Sequence, residues 1–197
     1  MTIEIFIALT IFAFVSSISP GPNNLMLMGS GANFGFKKTV PHLLGVALGF
    51  TAMIVLVGLG IMQIFDYYPS SYQVLKVLSV AYLLYLAFKL ATASNAIEQG
   101  KSKSKPMTFI QAALFQWVNP KAWTMALTGV SVYAPSQTLS AVLFVALIFG
   151  LINLPCVSLW IVMGEKMQRL LTNHTRLKVF NYSMSALLVA SLYPVMN

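Results

Sequence analysis

Residues 19–24, Ser-Pro-Gly-Pro-Asn-Asn, interrupt a sequence that is apolar on both sides. The stretch IEIFIALTIFAFVSSI (3–18) precedes them, and LMLMGSG (25–31) follows them. Proline has no backbone N–H to donate, and its ring clashes with the preceding helical turn, so a helix cannot pass through this stretch unbroken. The pattern therefore predicts one long apolar helix with a break near its middle.

The composition indicates which solvent surrounds these helices. Charged residues make up 8% of the chain, against about 25% in soluble domains. Hydrophobic residues make up 58% of the 197 residues, which is more apolar surface than a chain of this length can hide from water. We therefore expect an all-α integral membrane protein, in which a span of the bilayer takes about 20 apolar residues. Six stretches reach this length: 3–34 (broken at 19–24), 40–64, 72–92, 107–133 (broken at 119–121), 138–163 and 179–196.

The connections between these six stretches are short. The longest polar stretch runs from Thr92 to Met107 and is too small to fold as a domain. The sequence thus predicts a single transmembrane domain over residues 1–197, with its function located inside the membrane.

The basic residues predict how the helices are oriented. The net charge is +8, and ten of the twelve Lys and Arg residues lie near the first, third and fifth connections. Positive charge near short loops marks the cytoplasmic side, so we expect both termini to lie outside. This placement on loops also argues against a nucleic-acid partner, which a continuous basic stripe would favour. The ten residues are Lys37, Lys38, Lys89, Lys101, Lys103, Lys105, Lys166, Arg169, Arg176 and Lys178.

The chain divides into two halves of opposite predicted orientation. We assign repeat 1 to about 1–92, a basic cytoplasmic loop to 93–106 and repeat 2 to about 107–197, which is the arrangement of an inverted repeat. Each half begins with a helix that proline interrupts, at 19–24 and at 119–121. Paired breaks of this kind point to the binding site of a transporter. The alternative is a simple kink whose backbone groups are satisfied by neighbouring side chains.

Lys121 lies within the second break, near the predicted middle of the membrane. A charge at that depth costs about 2.5–3.5 kcal/mol on insertion scales, and the four acidic residues of the chain, Glu4, Asp66, Glu98 and Glu165, fall at predicted helix ends or in loops. A lysine without a resident acid indicates that a substrate carboxylate pairs with it. The alternatives are that Lys121 extends to the interface or rests against carbonyls at a half-helix end. Amides that could line the same cavity, or bridge helices instead, are Asn23, Asn24, Gln116, Asn119 and Asn153.

Other residue types suggest neither a cofactor nor an enzyme. Cys156 has no partner cysteine, and His42 and His174 stand alone near predicted helix ends. No His/Cys/Asp/Glu cluster has the spacing of a metal site, and no glycine-rich loop resembles a phosphate-binding motif. We expect no metal, no cofactor and no enzymatic activity, while proton coupling stays open.

Four stretches also carry a resemblance to a known family: SPGPNN (19–24), GFKK (35–38) followed by LLGVALGF (43–50), AYLLYLAFKLATAS (81–94) and FQWVNPKAW (115–123). They resemble the LysE/RhtB family of bacterial amino-acid exporters, and most closely its cysteine/O-acetylserine branch. The resemblance covers nearly the whole chain. It implies an inner-membrane exporter of amino acids or related metabolites that is energised by the proton gradient and is often a homo-oligomer. The family motif implicates Pro20, Gly21, Pro22, Asn23, Asn119, Pro120 and Lys121, and the branch adds Asn24.

These observations lead to one expected mechanism and two alternatives. We expect a carrier that works by alternating access, in which the two breaks meet near the midplane of the membrane. Lys121 would hold the carboxylate of a small amino acid, and amides at the half-helix ends would assist it. The alternatives are a membrane scaffold that transports nothing and a channel for small anions.

Overall fold

The computed structural model describes residues 2–61, 67–68, 70–98, 105–134, 138–168, 171 and 173–193. Within these ranges the regular structure is helical and comprises eight α-helices. They are α1 (Ile3–Ile18), α2 (Pro22–Phe34), α3 (Phe36–Leu56), α4 (Ser70–Glu98), α5 (Phe109–Phe115), α6 (Pro120–Tyr133), α7 (Leu139–Gln168) and α8 (His174–Ala190). A π-helical turn (Val57–Ile61) continues α3, and a 3₁₀ turn (Gln116–Val118) continues α5.

The first break separates α1 from α2. The Ser19 N–H still donates to the Val15 carbonyl at 3.1 Å, but Pro20 offers no N–H, so α1 ends there. Gly21 is fully extended (φ −179°, ψ 177°) and turns the chain toward α2. Pro22 then occupies the first turn of α2, where its fixed φ suits a helix start. The two helix axes differ in direction by 51°.

The second break separates α5 from α6. A capping box starts α5, in which the Thr108 hydroxyl accepts from the Gln111 N–H and the Gln111 side chain accepts from the Thr108 N–H. After α5 the chain tightens into the 3₁₀ turn and becomes extended at Asn119 (φ −97°, ψ 107°). Pro120 opens α6. This break therefore occupies 116–119 and begins slightly before the predicted 119–121.

Not all six predicted spans have the same support. Three helical segments are long and apolar enough to cross a membrane, namely Phe36–Ile61, Gln73–Thr92 and Leu139–Met167, and the bent pair α1–α2 would make a fourth. The helix Phe109–Val118 is apolar but short. Both α6, with 14 residues, and α8, with 17, also fall below the usual span length. Within the described ranges, the count of six spans and the inverted repeat therefore stay predictions.

The boundaries also differ from the predicted stretches in places. Helix α8, which corresponds to the sixth predicted stretch, begins at His174 rather than at 179. It begins there because the Asn173 side chain caps it by accepting the Thr175 N–H at 2.8 Å. It thus includes the polar residues of the preceding connection.

Helix α7 is the centre of the bundle and packs against α1, α2 and α3. Nearly all of α2 is buried. The approach of α2 to α7 depends on glycine, since a Cβ at Gly164 would collide with the Met28 carbonyl and a Cβ at Gly31 with the Ile161 carbonyl. The result is that α2 is held inside the bundle, with Gly21 and Pro22 of the first break buried while Pro20 is exposed.

Two apolar clusters lie on either side of the breaks. One, which includes Phe50 and Phe149, joins α1, α3, α6 and α7. The other, which includes Leu27 and Phe115, joins α2, α3, α4, α5, α7 and α8. The polar residues of both breaks therefore lie between two apolar layers.

The basic connections gather at one end of the bundle, which we call the basic end. The N–H of Phe36, at the start of α3, donates to Glu165 Oε1 near the end of α7 at 3.2 Å. Phe34, Lys89 and Lys105 line one common cavity. This agrees with the predicted grouping of the first, third and fifth connections, although Asp66, Lys101, Lys103 and Arg169, like the side chain of Glu98, lie outside the described residues.

The opposite end carries the start of α1, the end of α6 and the start of α7. There the Tyr133 hydroxyl donates to the Ala8 carbonyl at 3.5 Å, and the rings of Phe6 and Phe144 lie 6.3 Å apart in an edge contact. Each broken helix therefore runs between the two ends with its break in the interior.

Candidate functional site

The end of α1 presents carbonyl groups that no further helical turn can satisfy. The Asn24 side chain donates to the carbonyls of Ser17 and Ser19, each at 2.8 Å. The Trp160 indole N–H donates to the Ile18 carbonyl at 3.1 Å. A buried unpaired carbonyl would cost about 1–3 kcal/mol, so these side chains are what makes the first break tolerable inside the bundle.

Lys121 completes this set of donors. Its Nζ donates to the Ser19 carbonyl at 2.6 Å, to the Ser19 hydroxyl at 2.9 Å and to the Pro20 carbonyl at 3.3 Å. The lysine is partly buried. In this conformation it therefore rests against carbonyls at a half-helix end, which was one of the alternatives that the sequence left open. Among the described residues no carboxylate lies within ion-pair distance of it.

The two helix ends explain why Lys121 takes this direction. Lys121 belongs to the first turn of α6, whose N-terminus carries partial positive charge, and a cation there is unfavourable. The side chain leads its ammonium away to the C-terminus of α1, where the carbonyls carry partial negative charge. Asn119 caps α6 by accepting the Lys121 backbone N–H at 3.2 Å. The backbone of Lys121 thus belongs to one break and its charge to the other.

Gly21 makes room for the lysine. A Cβ at this position would lie 2.6 Å from Lys121 Cδ and 3.2 Å from Nζ. Its backbone is extended, which any residue can adopt, so space rather than conformation requires glycine here. Pro20 is exposed while Pro22 is buried; both shape the break, and Pro120 opens α6 in the same way.

A second connection between the breaks is a reciprocal amide pair. Asn23 Nδ2 donates to Gln116 Oε1 at 2.8 Å, and Gln116 Nε2 donates back to Asn23 Oδ1 at 3.2 Å. Gln116 Nε2 also donates to the Ala112 carbonyl at 2.8 Å. Since Gln116 is fully buried, this pair fixes α2 against the 3₁₀ turn that follows α5.

Asn153 approaches the first break from α7. Its Nδ2 donates to the Ser17 hydroxyl at 3.2 Å. Its Oδ1 is buried and has no hydrogen-bond partner among the described residues. A buried acceptor without a donor is uncommon, so this oxygen is available to a group that enters the site.

These polar groups surround a central cavity of about 20 Å³. A water molecule needs about 10–15 Å³ on this scale, so the cavity has room for one water but not for an amino acid. The structure is therefore a closed form of the site. The polar lining residues are Ser16, Ser17, Asn23, Asn24, Asn119, Lys121 and Asn153, and the apolar ones are Phe50, Ala122, Met125 and Val157.

The structure brings together much of the predicted site. Lys121, Asn119, Asn23, Asn24 and Asn153 line the central cavity. Gln116 acts one step away, through its pair with Asn23. The remaining predicted residues do not line it, and they shape the backbone around it instead: Pro20, Gly21, Pro22 and Pro120.

Three contributors were missed at the level of sequence. Ser17 and Ser19 accept hydrogen bonds from Asn153, Asn24 and Lys121, and their place beside the first proline could have indicated a role. Trp160 caps the α1 end from α7. Nothing in its local sequence distinguishes it from a tryptophan at a membrane interface.

Comparisons with known proteins cover most of the chain. The LysE type translocator family matches residues 14–191. A cysteine/O-acetylserine efflux protein of Escherichia coli is 28% identical over 180 residues, which cover 89% of this chain and 90% of that protein. A cysteine/O-acetylserine efflux protein of Shigella sonnei matches to the same extent. No solved structure matches the chain.

Proposed function

The chain belongs to the LysE type translocator family, and from that premise we propose that it is a secondary transporter that exports a small zwitterionic amino acid from the cytoplasm. As a member of this family the protein is a transporter rather than an enzyme. The relatives that match 89% of the chain are named for efflux of cysteine and O-acetylserine. These two compounds are therefore the first candidates for the substrate.

One observation carries the proposal for the site: the Lys121 ammonium is held by neutral oxygens alone among the described residues. Its acceptors are the carbonyls of Ser19 and Pro20 and the Ser19 hydroxyl. The present bonds are assisted by the charge of the ammonium alone, whereas a carboxylate acceptor adds an opposite charge and so a direct Coulomb attraction. A substrate carboxylate that reaches Lys121 would therefore compete well against its present partners.

The release of Lys121 does not leave the Ser19 carbonyl at the end of α1 without a donor. The Ser19 carbonyl also accepts from Asn24, so it keeps one donor when the lysine turns to the substrate. In this mechanism Lys121 is a latch that holds the two breaks together in the empty, closed form. Substrate binding replaces the latch, and the two halves of the bundle can then separate on one side or the other.

The amino group of the substrate needs an acceptor near the carboxylate site. Asn153 Oδ1 is such an acceptor, since it is buried without a donor and lines the same cavity as Lys121. We assign it to the substrate ammonium. Asn23, Asn24 and Asn119 lie around the same space and would position a polar side chain of the substrate.

The wider architecture of the proposal follows the sequence. It consists of six spans arranged as two inverted repeats in a bacterial inner membrane, with the basic end in the cytoplasm and both termini outside. The grouping of the basic connections at one end supports this orientation. Coupling to the proton gradient and assembly as a homo-oligomer are further parts of the proposal that the family resemblance supplies.

Counterflow in vesicles tests this function. Purified protein is reconstituted, the vesicles are loaded with unlabelled O-acetylserine or cysteine, and uptake of the labelled compound is followed. We expect saturable uptake that internal substrate accelerates, and we expect inhibition by amino acids but not by the matching amines that lack a carboxylate. Conductance without saturation would indicate a channel, and the absence of flux with all amino acids would leave a scaffold. Either result contradicts the proposal.

A further inference from the structure

A second cavity, of about 50 Å³, lies beside α2 at the basic end of the bundle. We call it the loading cavity and define it by six of its lining residues: Met26, Ser30, Asn33, His42, Lys89 and Lys105. The mechanism described above uses none of them. The cavity is more than twice the size of the central one.

His42 is the unusual member of this group. It lies in the second turn of α3 rather than at a helix end, and it is only 1% exposed. Neither ring nitrogen has a hydrogen-bond partner among the described residues. An imidazole offers one N–H donor and one lone-pair acceptor in its neutral form, so two polar functions are buried there and unused.

The uncharged polar side chains that line the cavity beside His42 already have partners. Ser30 and Thr39 share a hydrogen bond of 2.9 Å. Asn33 donates to the Gly29 carbonyl at 2.7 Å and to Asn181 Oδ1 at 3.1 Å. His42 is therefore the uncharged group that a ligand or water in this cavity would satisfy, because a buried polar nitrogen without a partner is unfavourable.

The charge at the cavity is positive. Lys89 and Lys105 are exposed and line it from α4 and from the segment before α5. Two ammonium groups beside a buried imidazole favour an anionic group such as a carboxylate. A zwitterion fits further, because its carboxylate can accept from the lysines and the imidazole N–H while its ammonium donates to the other ring nitrogen.

The loading cavity and the central cavity lie along the same helix. Asn23 and Asn24 of α2 line the central cavity, and Met26, Ser30 and Asn33 line the loading cavity. From Asn24 to Asn33 the helix rises about 14 Å. Met26 is the lining residue of the loading cavity nearest to Asn24 along the helix. It is 8% exposed, and methionine is a side chain that changes conformation readily.

We propose that the loading cavity is a binding site for the amino-acid substrate at the basic end, occupied before the substrate reaches Lys121. Lys89 and Lys105 bind the carboxylate at its mouth, and His42 supplies the polar contact at its floor. The inference rests on the proposed export function and adds to it the residues that receive the substrate. A volume of about 50 Å³ accommodates about three water-sized groups. The cavity therefore takes the charged end of the substrate, and the side chain of the substrate stays outside the cavity.

The first test measures flux of O-acetylserine from each face of the vesicles in two paired variants. In Lys89→Met/Lys105→Met we expect the substrate concentration for half-maximal flux to rise about tenfold at the basic end and to change less than twofold at the other face. Lys37→Met/Lys38→Met is the matched control, because it removes two exposed lysines from the same end, outside the cavity. An equal rise in the control, or an equal rise at both faces, would show a general effect of surface charge and overturn the site.

His42 is tested with two replacements of similar size. His42→Met removes both polar functions, and we expect a tenfold rise in the half-maximal concentration at the basic end with the maximal rate changed less than twofold. His42→Gln keeps a donor and an acceptor and is expected to recover at least half of that loss on a logarithmic scale. If His42→Met transports as the parent does, the imidazole binds only water and the proposed site is wrong.

Direct binding separates this inference from the proposed function. Labelled O-acetylserine is titrated onto purified Lys121→Met protein, in which the central site has lost its cation. We expect weak binding to remain and to disappear in Lys121→Met/His42→Met. A parent protein that shows no flux but binds O-acetylserine in a way that depends on His42 would contradict the export function and keep the loading site. Flux in the parent with no residual binding in Lys121→Met would contradict the loading site and keep the export function.

Discussion

The two helix breaks arise from similar sequences and yet do different chemistry. At 19–21 the chain is extended and α1 ends in carbonyls that neighbouring side chains must satisfy. At 116–119 the chain tightens into a 3₁₀ turn and an Asn119 cap, and α6 starts with a lysine in its first turn. One break therefore supplies acceptors and the other supplies a cation. The difference teaches that the two breaks are chemically complementary and bonded to each other, rather than two copies of the same arrangement.

The largest effect is expected from removing the cation that joins the breaks. Lys121→Met keeps the length of the side chain but removes the cation that is proposed to bind the substrate carboxylate. The loss of its three hydrogen bonds to neutral oxygens is offset because the variant no longer buries a charge. We expect transport to fall at least 100-fold while the protein still inserts and elutes as a single species. Vesicle counterflow measures the rate, and size-exclusion chromatography checks the fold.

Two companion variants sharpen this result. Lys121→Arg should recover transport only in part, because a planar guanidinium does not reproduce a compact ammonium. Lys38→Met, at an exposed position of the basic end, should transport at the parental rate. A Lys121→Met protein with normal export would remove the lysine from the site.

A smaller effect is expected at the glycine that accommodates the lysine. In Gly21→Ala the new methyl would lie 2.6 Å from Lys121 Cδ, so the lysine side chain must shift from its present position. We expect transport to fall about tenfold, which corresponds to about 1.4 kcal/mol. The comparison is a double-mutant cycle with Lys121→Ala, in which the stem is gone. If Gly21→Ala costs as much in that background, its effect does not come from the contact with Lys121.

The amide pair between the breaks should affect stability more than transport. Gln116→Leu leaves the part-buried amide of Asn23 without its partner, and an unsatisfied amide costs up to about 1–3 kcal/mol when it is buried. We expect a lower midpoint of thermal unfolding in detergent, followed by intrinsic fluorescence. The double variant Asn23→Leu/Gln116→Leu leaves neither amide without its partner, although the Ala112 carbonyl still loses its donor, and it should be more stable than Gln116→Leu alone. The pair contributes nothing specific if the two single losses simply add.

The smallest change in stability is expected at Asn153. The substitution Asn153→Leu removes one 3.2 Å hydrogen bond to Ser17. It also removes an acceptor, Asn153 Oδ1, that has no partner among the described residues. The two effects oppose each other, so the free energy of unfolding should change by less than about 1 kcal/mol. The same variant should bind substrate more weakly. A large loss of stability would show that Oδ1 has a structural partner, such as a fixed water, and is not kept free for the substrate.

Part of this site could be predicted because its signals are local. Proline and glycine affect the backbone at their own positions. Residues 19–24 and Pro120 therefore predict both breaks without information about the neighbouring helices. The lack of acidic residues near Lys121 can likewise be read from the chain. The partners of these groups could not be predicted, because Asn23 and Gln116 are 93 positions apart and Lys121 and Ser19 are 102 apart.

The absence of a partner is as hard to predict from the sequence as its presence, and His42 is the example. Its sequence neighbourhood indicates a histidine near a helix end, and only the packing of α2, α4 and the segment before α5 around α3 buries it in a cavity without a partner. Isolation is a property of everything that surrounds a residue, so no local pattern reports it.

By itself the sequence determined that this chain folds in a bilayer as helices, that two of those helices break, and that a lysine lies at the second break. These follow from composition and from the backbone chemistry of single residues, which act wherever the chain goes. Only the tertiary structure decided that the charge of Lys121 lies at the C-terminal end of α1 and that Asn23 pairs with Gln116. It also decided that the central cavity is too small for an amino acid. Those outcomes depend on how closely α2 approaches α7 and how the two breaks meet, and distances between remote segments are set by packing.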